Sequence, residues 1–454
     1  FFDLKDKKET ETGDINSYSI SNNQKKIIFK KGDDFFIEDV SKIKIEAKNK
    51  LNLSGLKINT DLHAEWKQIF DESWRQMRDY FYDPNMHGVN WKAMHDKYAV
   101  LLPYVNHRND LTYIIGEMIG ELSIGHAYVN SGDRPEAERI KMGLLGATFS
   151  RDKSGYYKID SILSGESWDK TLVSPLRQPG VNVKKGDYII SINGKDVSRL
   201  DNIYQALIGK ANQAIEILVN SKASVTGSRK IFVKPIDDES NLYYHEWVQQ
   251  NIAKVTKASG GKIGYLHIPD MGPEGLNQFA RYFYPQLDKE ALIIDDRGNG
   301  GGNVSPMIIE RLRRVPGLGT MMRNAKTANI KPDAQVGPKI CLIDQYSASD
   351  GDLFPYQFQF YKIGPLLGQR TWGGVVGIRG SLPFIDGADM RKPEFAHFSA
   401  DGSRFIIEGY GVDPDIEVVN DPHQEYLGND IQLLRAIEEM KRKLAEPGPK
   451  GVPP

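Results

Sequence analysis

The 454-residue sequence predicts a multidomain α+β protein, and three observations carry that reading. Short alternating strands fill residues 1–52, helical spacing takes over from Asp61, and beyond Gly260 strands alternate with helices as a largely parallel sheet requires. A chain of this length outgrows a single hydrophobic core, so several domains are expected. Apolar residues make up 40% and charged residues 26%, the balance of a folded globular chain rather than a disordered or fibrous one.

In residues 1–52 the runs Tyr18-Ser19-Ile20-Ser21, Lys26-Ile27-Ile28-Phe29 and Asp34-Phe35-Phe36-Ile37 alternate apolar with polar and read as an antiparallel meander. Two or three short strands cannot bury a stable face. The expectation is therefore a remnant of a longer β array such as a β-propeller, against the alternative of a strand extension of the next domain.

Residues 61–140 form a small helical domain. Trp66, Ile69, Phe70, Trp74, Met77 and Phe81 recur at three- and four-residue spacing, as do Leu111, Ile114, Ile115, Met118, Ile119 and Leu122. Asp61 is placed as an N-cap, Pro84 and Gly88 interrupt the first pattern, and the second ends at the Gly125-His126 turn. Residues 141–236 return to short strands with one helix, and Gly186 to Lys195 is a strand running into an Asn193-Gly194 hairpin turn.

Residues 237–440 alternate strands (Ile263 to Ile268, Ala291 to Asp295, Lys339 to Ile343) with helices around Leu276 to Leu287 and from Ser305. These are right-handed βαβ units. Residues 441–454 read as a tail, whose Pro- and Gly-rich stretch from Glu446 onward is expected to fray.

Lys and Arg number 59 against 60 Asp and Glu with no long run of either sign, which excludes wholesale nucleic-acid or anionic-membrane binding and points to a small or peptidic partner. No apolar stretch reaches the roughly 18 to 20 residues a membrane span needs. Cys341, the single cysteine, lies in the apolar run Ile340 to Ile343 and reads as a buried structural thiol, so no intramolecular disulfide sets the compartment. The start, Phe1-Phe2-Asp3-Leu4-Lys5, has neither signal-peptide order nor an initiator methionine, and a mature or truncated fragment is expected. Cytoplasmic and periplasmic placement both stay open.

Ligands of an open α/β sheet bind beyond the carboxyl ends of its strands. Two motifs fall there. Asp295-Asp296-Arg297-Gly298-Asn299-Gly300-Gly301-Gly302 follows the second strand and can present bare backbone N–H groups. Taken alone it could equally cradle phosphate or simply turn, although it lacks the lysine of a phosphate loop. Tyr346-Ser347-Ala348-Ser349-Asp350-Gly351 follows the third strand and opens a helix. A serine there sits where helix N–H groups stabilise an oxyanion, but taken alone it reads first as an N-cap.

Together these motifs resemble the tail-specific and tricorn-core serine proteases, whose order of helical domain, inserted PDZ-like β module (similar here across Leu176 to Val197) and α/β catalytic core of the ClpP/crotonase type matches the order above. The resemblance implies a serine peptidase acting on peptides or unfolded polypeptides, without metal or organic cofactor, that assembles as a homo-oligomer. It implies Ser349 as nucleophile. Tail-specific enzymes activate the serine with a lysine, yet Gly368-Gln369-Arg370-Thr371-Trp372-Gly373-Gly374 has Gly374 where that lysine would stand. Tricorn-type enzymes use a histidine, matched by His126 in Gly120 to Tyr128, and a glutamate, matched by Glu408 in Glu408-Gly409-Tyr410-Gly411-Val412-Asp413-Pro414-Asp415.

The backbone of Asp350 with that of Gly300 or Gly301 would form the oxyanion hole. Gly125 replaces the serine that precedes the tricorn histidine, which leaves Ser123 or water as the candidate relay to Glu408. The alternative is an inactive PDZ-containing scaffold that binds peptides.

Overall fold

The computed structural model describes residues 2–9, 14–42, 50–130, 132, 137–166, 168–317, 319–320, 323–324, 329–330, 334–379 and 382–446. Residues 1–65 form one compact unit. In it β1 (Ser17–Ile20), β2 (Lys26–Lys31) and β3 (Asp34–Asp39) pair antiparallel in chain order. Alternation puts Ile27, Phe29 and Phe36 on one face, where the two phenylalanine rings stack at 5.2 Å. The expected meander is present as these three strands. Residues 10–13 and 43–49 of the same span lie outside the described residues.

Residues 66–454 form the second unit. Its helical part comprises α1 (Leu62–Tyr80) from Trp66 onward, α2 (Trp91–Ala99) and α3 (Arg108–Gly120). Asp61 Oδ1 accepts the His63 and Ala64 N–H groups at 3.1 and 3.2 Å, which makes it the N-cap the sequence predicts. The apolar stripes of α1 and α3 share one core. That core is closed by Phe384, Ala388 and Met390, from a segment far later in the chain. Arg108 Nε holds the segment through Asp386 Oδ2 at 2.6 Å, with the side chains 3% and 2% exposed.

The β module contains β4 (Ala147–Arg151), β5 (Tyr157–Ile162), β6 (Tyr188–Ile192), β7 (Ile215–Asn220) and β8 (Arg229–Val233), ordered β8-β7-β6-β5-β4. Asn193 and Gly194, both at positive φ, make the predicted turn, and Lys195 pairs back on Ile192. The single helix expected here is replaced, among the described residues, by short 3-10 turns. Asp169, Asp196 and Asn202 each accept an N–H two residues on, and such side-chain bonds compete with an α-helical ladder.

The α/β domain opens with α4 (Ser240–Ser259), a helix absent from the sequence reading and ended by left-handed Gly260. It continues with β9 (Ile263–His267), α5 (Pro273–Phe283), β10 (Ala291–Asp295), α6 (Ser305–Leu312), β11 (Lys339–Ile343), α7 (Asp350–Phe360), β12 (Leu366–Gly368), β13 (Ile416–Glu417) and α8 (Ile431–Ala445). The five strands are parallel and lie in chain order, β9-β10-β11-β12-β13.

Crossovers that all step the same way with the same right hand put α5, α6 and α7 on one face. There they pack on Leu266, Leu292, Ile294, Cys341, Ile343 and Leu366. The alternate residues, Ile263, Tyr265, Ile293, Ile340 and Leu342, meet α4 and α8 on the other face. Helix α8 runs past 440, where the tail was expected, because Met440 and Leu444 pack on that core. The final residues, 447–454, lie outside the described residues.

A small antiparallel sheet joins the helical part to the α/β domain: Met390–Phe395 lies between Gly377–Arg379 and Tyr128–Val129. Replacing Asp386 with Ala strands the Arg108 charge in the helical core and should cost about 3–5 kcal/mol. Urea denaturation of the variant against the parent chain measures that loss.

Candidate active site

Three loops at the carboxyl ends of β10, β11 and β12 form the site. They are tied through their backbones. Ser347 Oγ donates to Asp296 O at 2.8 Å, Ala348 N to Asn299 O at 2.8 Å, and Trp372 N to Ser347 O at 3.0 Å. Gly301, at φ +88°, lies so close that an added Cβ would stand 2.6 Å from Ser349 Cβ. Only glycine satisfies both the conformation and the space.

Ser349 occupies the junction between β11 and α7. Its backbone is at φ 58°, ψ −120°, an unfavourable region for a residue with a side chain, and its hydroxyl makes no capping bond to the helix. Ser347 spends its hydroxyl on Asp296; among the described residues the Ser349 hydroxyl makes no hydrogen bond. The Asp350 carboxylate instead anchors α6, accepting Ser305 N–H at 2.9 Å and the Ser305 hydroxyl. Burial pushes that carboxyl up, against those two bonds.

The Asp350 N–H has no partner among the described residues, as expected for the first N–H of a helix. Of the two candidate glycine donors, Gly301 N–H is engaged by Asn299 Oδ1 at 2.9 Å, whereas Gly300 N–H has only a 3.4 Å contact with Pro269 O. Gly300 is the freer donor.

His126 reaches this region from the helical part. It precedes the strand Tyr128–Val129, and Val376 precedes Gly377–Arg379 in the same sheet, so one sheet brings both to the site. His126 Nδ1 donates to Val376 O at 2.7 Å, which fixes the proton on Nδ1 and leaves Nε2 as the basic nitrogen. Burial lowers the His126 pKa, opposed by the Val376 carbonyl and by the Glu408 charge. The Trp372 ring stands edge-on to the imidazole at 6.3 Å. At Gly125 an added Cβ would stand 3.3 Å from the same ring, a tight contact.

Glu408 does not touch His126. Its Oε2 accepts the Val375 and Val376 N–H groups at 2.7 and 2.8 Å, so residue Val376, through the N–H of one peptide and the C=O of the next, stands between the glutamate and the imidazole. Among the described residues no hydrogen bond links Ser123 to either group. The residue before Glu408, Ile407, holds φ +71°, a costly conformation for a β-branched side chain. Ile407 is nonetheless buried in the main core.

The structure thus gathers Ser349, Asp350, Gly300 and Gly301 at one helix end, and joins His126 to Glu408 through Val376. Two participants carry no sequence signal of their own. The Val376 carbonyl acts through its backbone, and Asp352, which accepts Gly373 N–H at 2.8 Å and the Thr371 hydroxyl, is an acid in a helix's first turn. Among the described residues no group of His, Cys, Asp or Glu converges as a metal site requires, and no helix is long and apolar enough to cross a membrane.

Comparison with known proteins places these parts in a family context. The Tricorn protease C1 domain matches residues 62–120, the Tricorn protease PDZ domain residues 143–238, and Peptidase family S41 residues 262–418. Tricorn protease homolog 1 of Streptomyces coelicolor is 37% identical over 388 residues, covering 85% of this chain and 36% of that protein. The putative tricorn-like protease C-terminal subunit of Sulfurisphaera tokodaii is 36% identical, covering 98% of this chain and 52% of that one.

The crystal structure of the tricorn protease superposes with a TM-score of 0.88 at 32% identity, over 97% of this chain and 43% of the other. The chain therefore spans about half the length, or less, of the relatives it matches. Replacing Gly301 with Ala should displace the Ser349 turn and, as misplacements near 1 Å do, slow reaction at Ser349 by about 10²-fold. The rate of adduct formation with a fluorophosphonate, followed by mass, reads that change.

Proposed function

The chain belongs to the tricorn protease family, and on that premise we propose that it is a serine peptidase that cleaves peptides or unfolded polypeptides through an acyl-enzyme. The observation that carries the proposal is the Ser349 hydroxyl, held in strained backbone at a helix N-terminus and not spent on capping it. Such a turn exposes an oxygen nucleophile at the top of an α/β sheet.

Each group has a step. His126 Nε2 takes the Ser349 proton as the oxygen attacks the peptide carbonyl, then returns it to the departing amine. The Nδ1–H bond to Val376 O keeps the required tautomer, and the Glu408 charge, on the other side of residue Val376, favours the imidazolium as it forms. The Asp350 N–H, with that of Gly300 or Gly301, would receive the oxyanion, each such donor being worth about 3 kcal/mol. Water on Nε2 then attacks the ester by the same exchange in reverse.

The domains divide this work: 61–140 supplies the base, 237–440 the nucleophile and oxyanion donors, and 141–236, the PDZ module, a surface for an extended peptide. Within it β4 pairs, among the described residues, with β5 alone, and its other edge is the one we propose for strand addition.

Ser349→Ala should lower kcat by about 10⁵ to 10⁶-fold with the melting temperature near that of the parent chain, and hydrolysis of an amide substrate persisting in this variant would refute the nucleophile. The acylation rate should fall as pH drops, because the base works only when neutral. Since burial lowers the His126 pKa, the acid limb should be centred below the ordinary pKa of about 6.5. An acid limb centred above that value would contradict His126 as the base.

A further inference from the structure

Asp352 lies in the first turn of the nucleophile helix and is fully buried, yet its carboxylate faces a different loop. Its Oδ1 accepts Gly373 N–H at 2.8 Å and the Thr371 hydroxyl, and Thr371 Oγ1 in turn accepts Val412 N–H at 2.9 Å. We propose that Asp352 is a positioning residue for the Ser349–His126 pair, fixing the Thr371–Gly374 turn against the nucleophile helix and, through that turn, the Val376 carbonyl that orients His126. The proposal rests on the peptidase reading above.

Continuity of the chain makes the case. Between the two residues bound by Asp352 stands Trp372, whose N–H is fixed to Ser347 O and whose ring borders His126. Gly373 O accepts Gly409 N–H at 2.8 Å, which locks the turn to the segment carrying Glu408. Three residues after Gly373, Val376 holds Glu408 through its N–H and His126 through its carbonyl. The turn has little freedom to move alone: a Cβ on Gly373 would come within 2.5 Å of Gly411 N, and one on Gly374 within 2.2 Å of the Trp372 ring. A shift of the Asp352 contact is therefore passed to Val376 O.

A helix-capping role does not account for this geometry. An acid in the first turn favours a helix from a solvated position as well. Asp352 is instead removed from water with its second oxygen, Oδ2, unbonded among the described residues, which is a costly arrangement. Burial pushes its pKa up to about 6, opposed by Thr371 and by the Gly373, Ser349 and Gly374 N–H groups. The titratable group that also faces this site is Asp296, from the β10 loop, whose own carboxyl burial drives well above the usual range. The polar groups converging on Asp352 from the 371–374 turn are donors, and the Thr371 hydroxyl and Gly373 N–H both fall on Oδ1, so asparagine can keep both bonds whereas alanine removes them.

The test compares Asp352→Ala, Asp352→Asn, Thr371→Val and Thr371→Ser with the full chain, reading the fluorophosphonate acylation rate at Ser349 per folded molecule, its pH profile, and the melting temperature. Positioning predicts an acylation loss of about 10²-fold for D352A and a smaller loss in the same constant for T371V, with D352N and T371S closer to the parent. It also predicts that D352A moves the acid limb to lower pH, because the Val376 carbonyl it displaces raises the His126 pKa. A purely structural role would lower the melting temperature and leave the per-molecule rate and the profile unmoved, and that result overturns the proposal. If D352A does not fold, T371V decides: parental acylation in T371V overturns the proposal. No Ser349 adduct in the parent chain would sink the peptidase reading first, whereas a normal parent with normal D352A and T371V sinks only the role of Asp352.

Discussion

Six residues, Thr371 to Val376, are clamped between two buried or half-buried carboxylates, and the candidate site depends on that clamp. Asp352 holds one end from the nucleophile helix and Glu408 holds the other. Neither carboxylate touches His126. What they hold in common is a stretch of backbone, and the last carbonyl of that stretch is the acceptor that sets the imidazole. A backbone carbonyl is a suitable choice here because, unlike a side chain, it has no rotamer freedom of its own once its segment is pinned at both ends.

The clamp works because the sheet is wound in one direction. With β9 to β13 in chain order, every connecting loop emerges at the same edge and each is the neighbour of the next. The Gly300-Gly301 loop, the Ser349 turn and the 371–376 segment are thereby stacked side by side, close enough for direct backbone bonds. His126, the proposed base, comes instead from beside the strand Tyr128–Val129, which pairs with Met390–Phe395. The helical part is in turn completed by Phe384, Ala388 and Met390, and the two halves of the site are built into one another rather than docked.

Positive φ at non-glycine residues recurs along the described chain, at Met86, His87 and Lys362 among others, and two instances fall where function is proposed. Ser349 and Ile407 both hold positive φ, each beside a group with a proposed role, and each is fixed by surroundings that leave no alternative. For Ile407 the compensation is a buried side chain in the main core, and for Ser349 it is the close contact with Gly301. These conformations cannot be read from residue type, since a serine and an isoleucine ordinarily avoid them.

Local pattern alone determined a good deal of this protein. Period-two alternation marked the meander, short apolar runs marked the buried strands Ala291–Asp295 and Lys339–Ile343, three- and four-residue spacing marked α1 and α3, and Asn193-Gly194 marked its hairpin. Motif resemblance singled out Ser349, His126, Glu408 and the glycine loop, because those signals sit in short contiguous stretches. Tertiary structure alone decided that the Ser349 hydroxyl is not a cap, that Val376 rather than Ser123 stands between His126 and Glu408, and that Asp352 faces the neighbouring loop. The physical reason is that these facts concern backbone groups and long-range pairings. Every residue carries the same N–H and C=O, so their roles are assigned by which segments the fold brings together and leave no mark in the order of side chains.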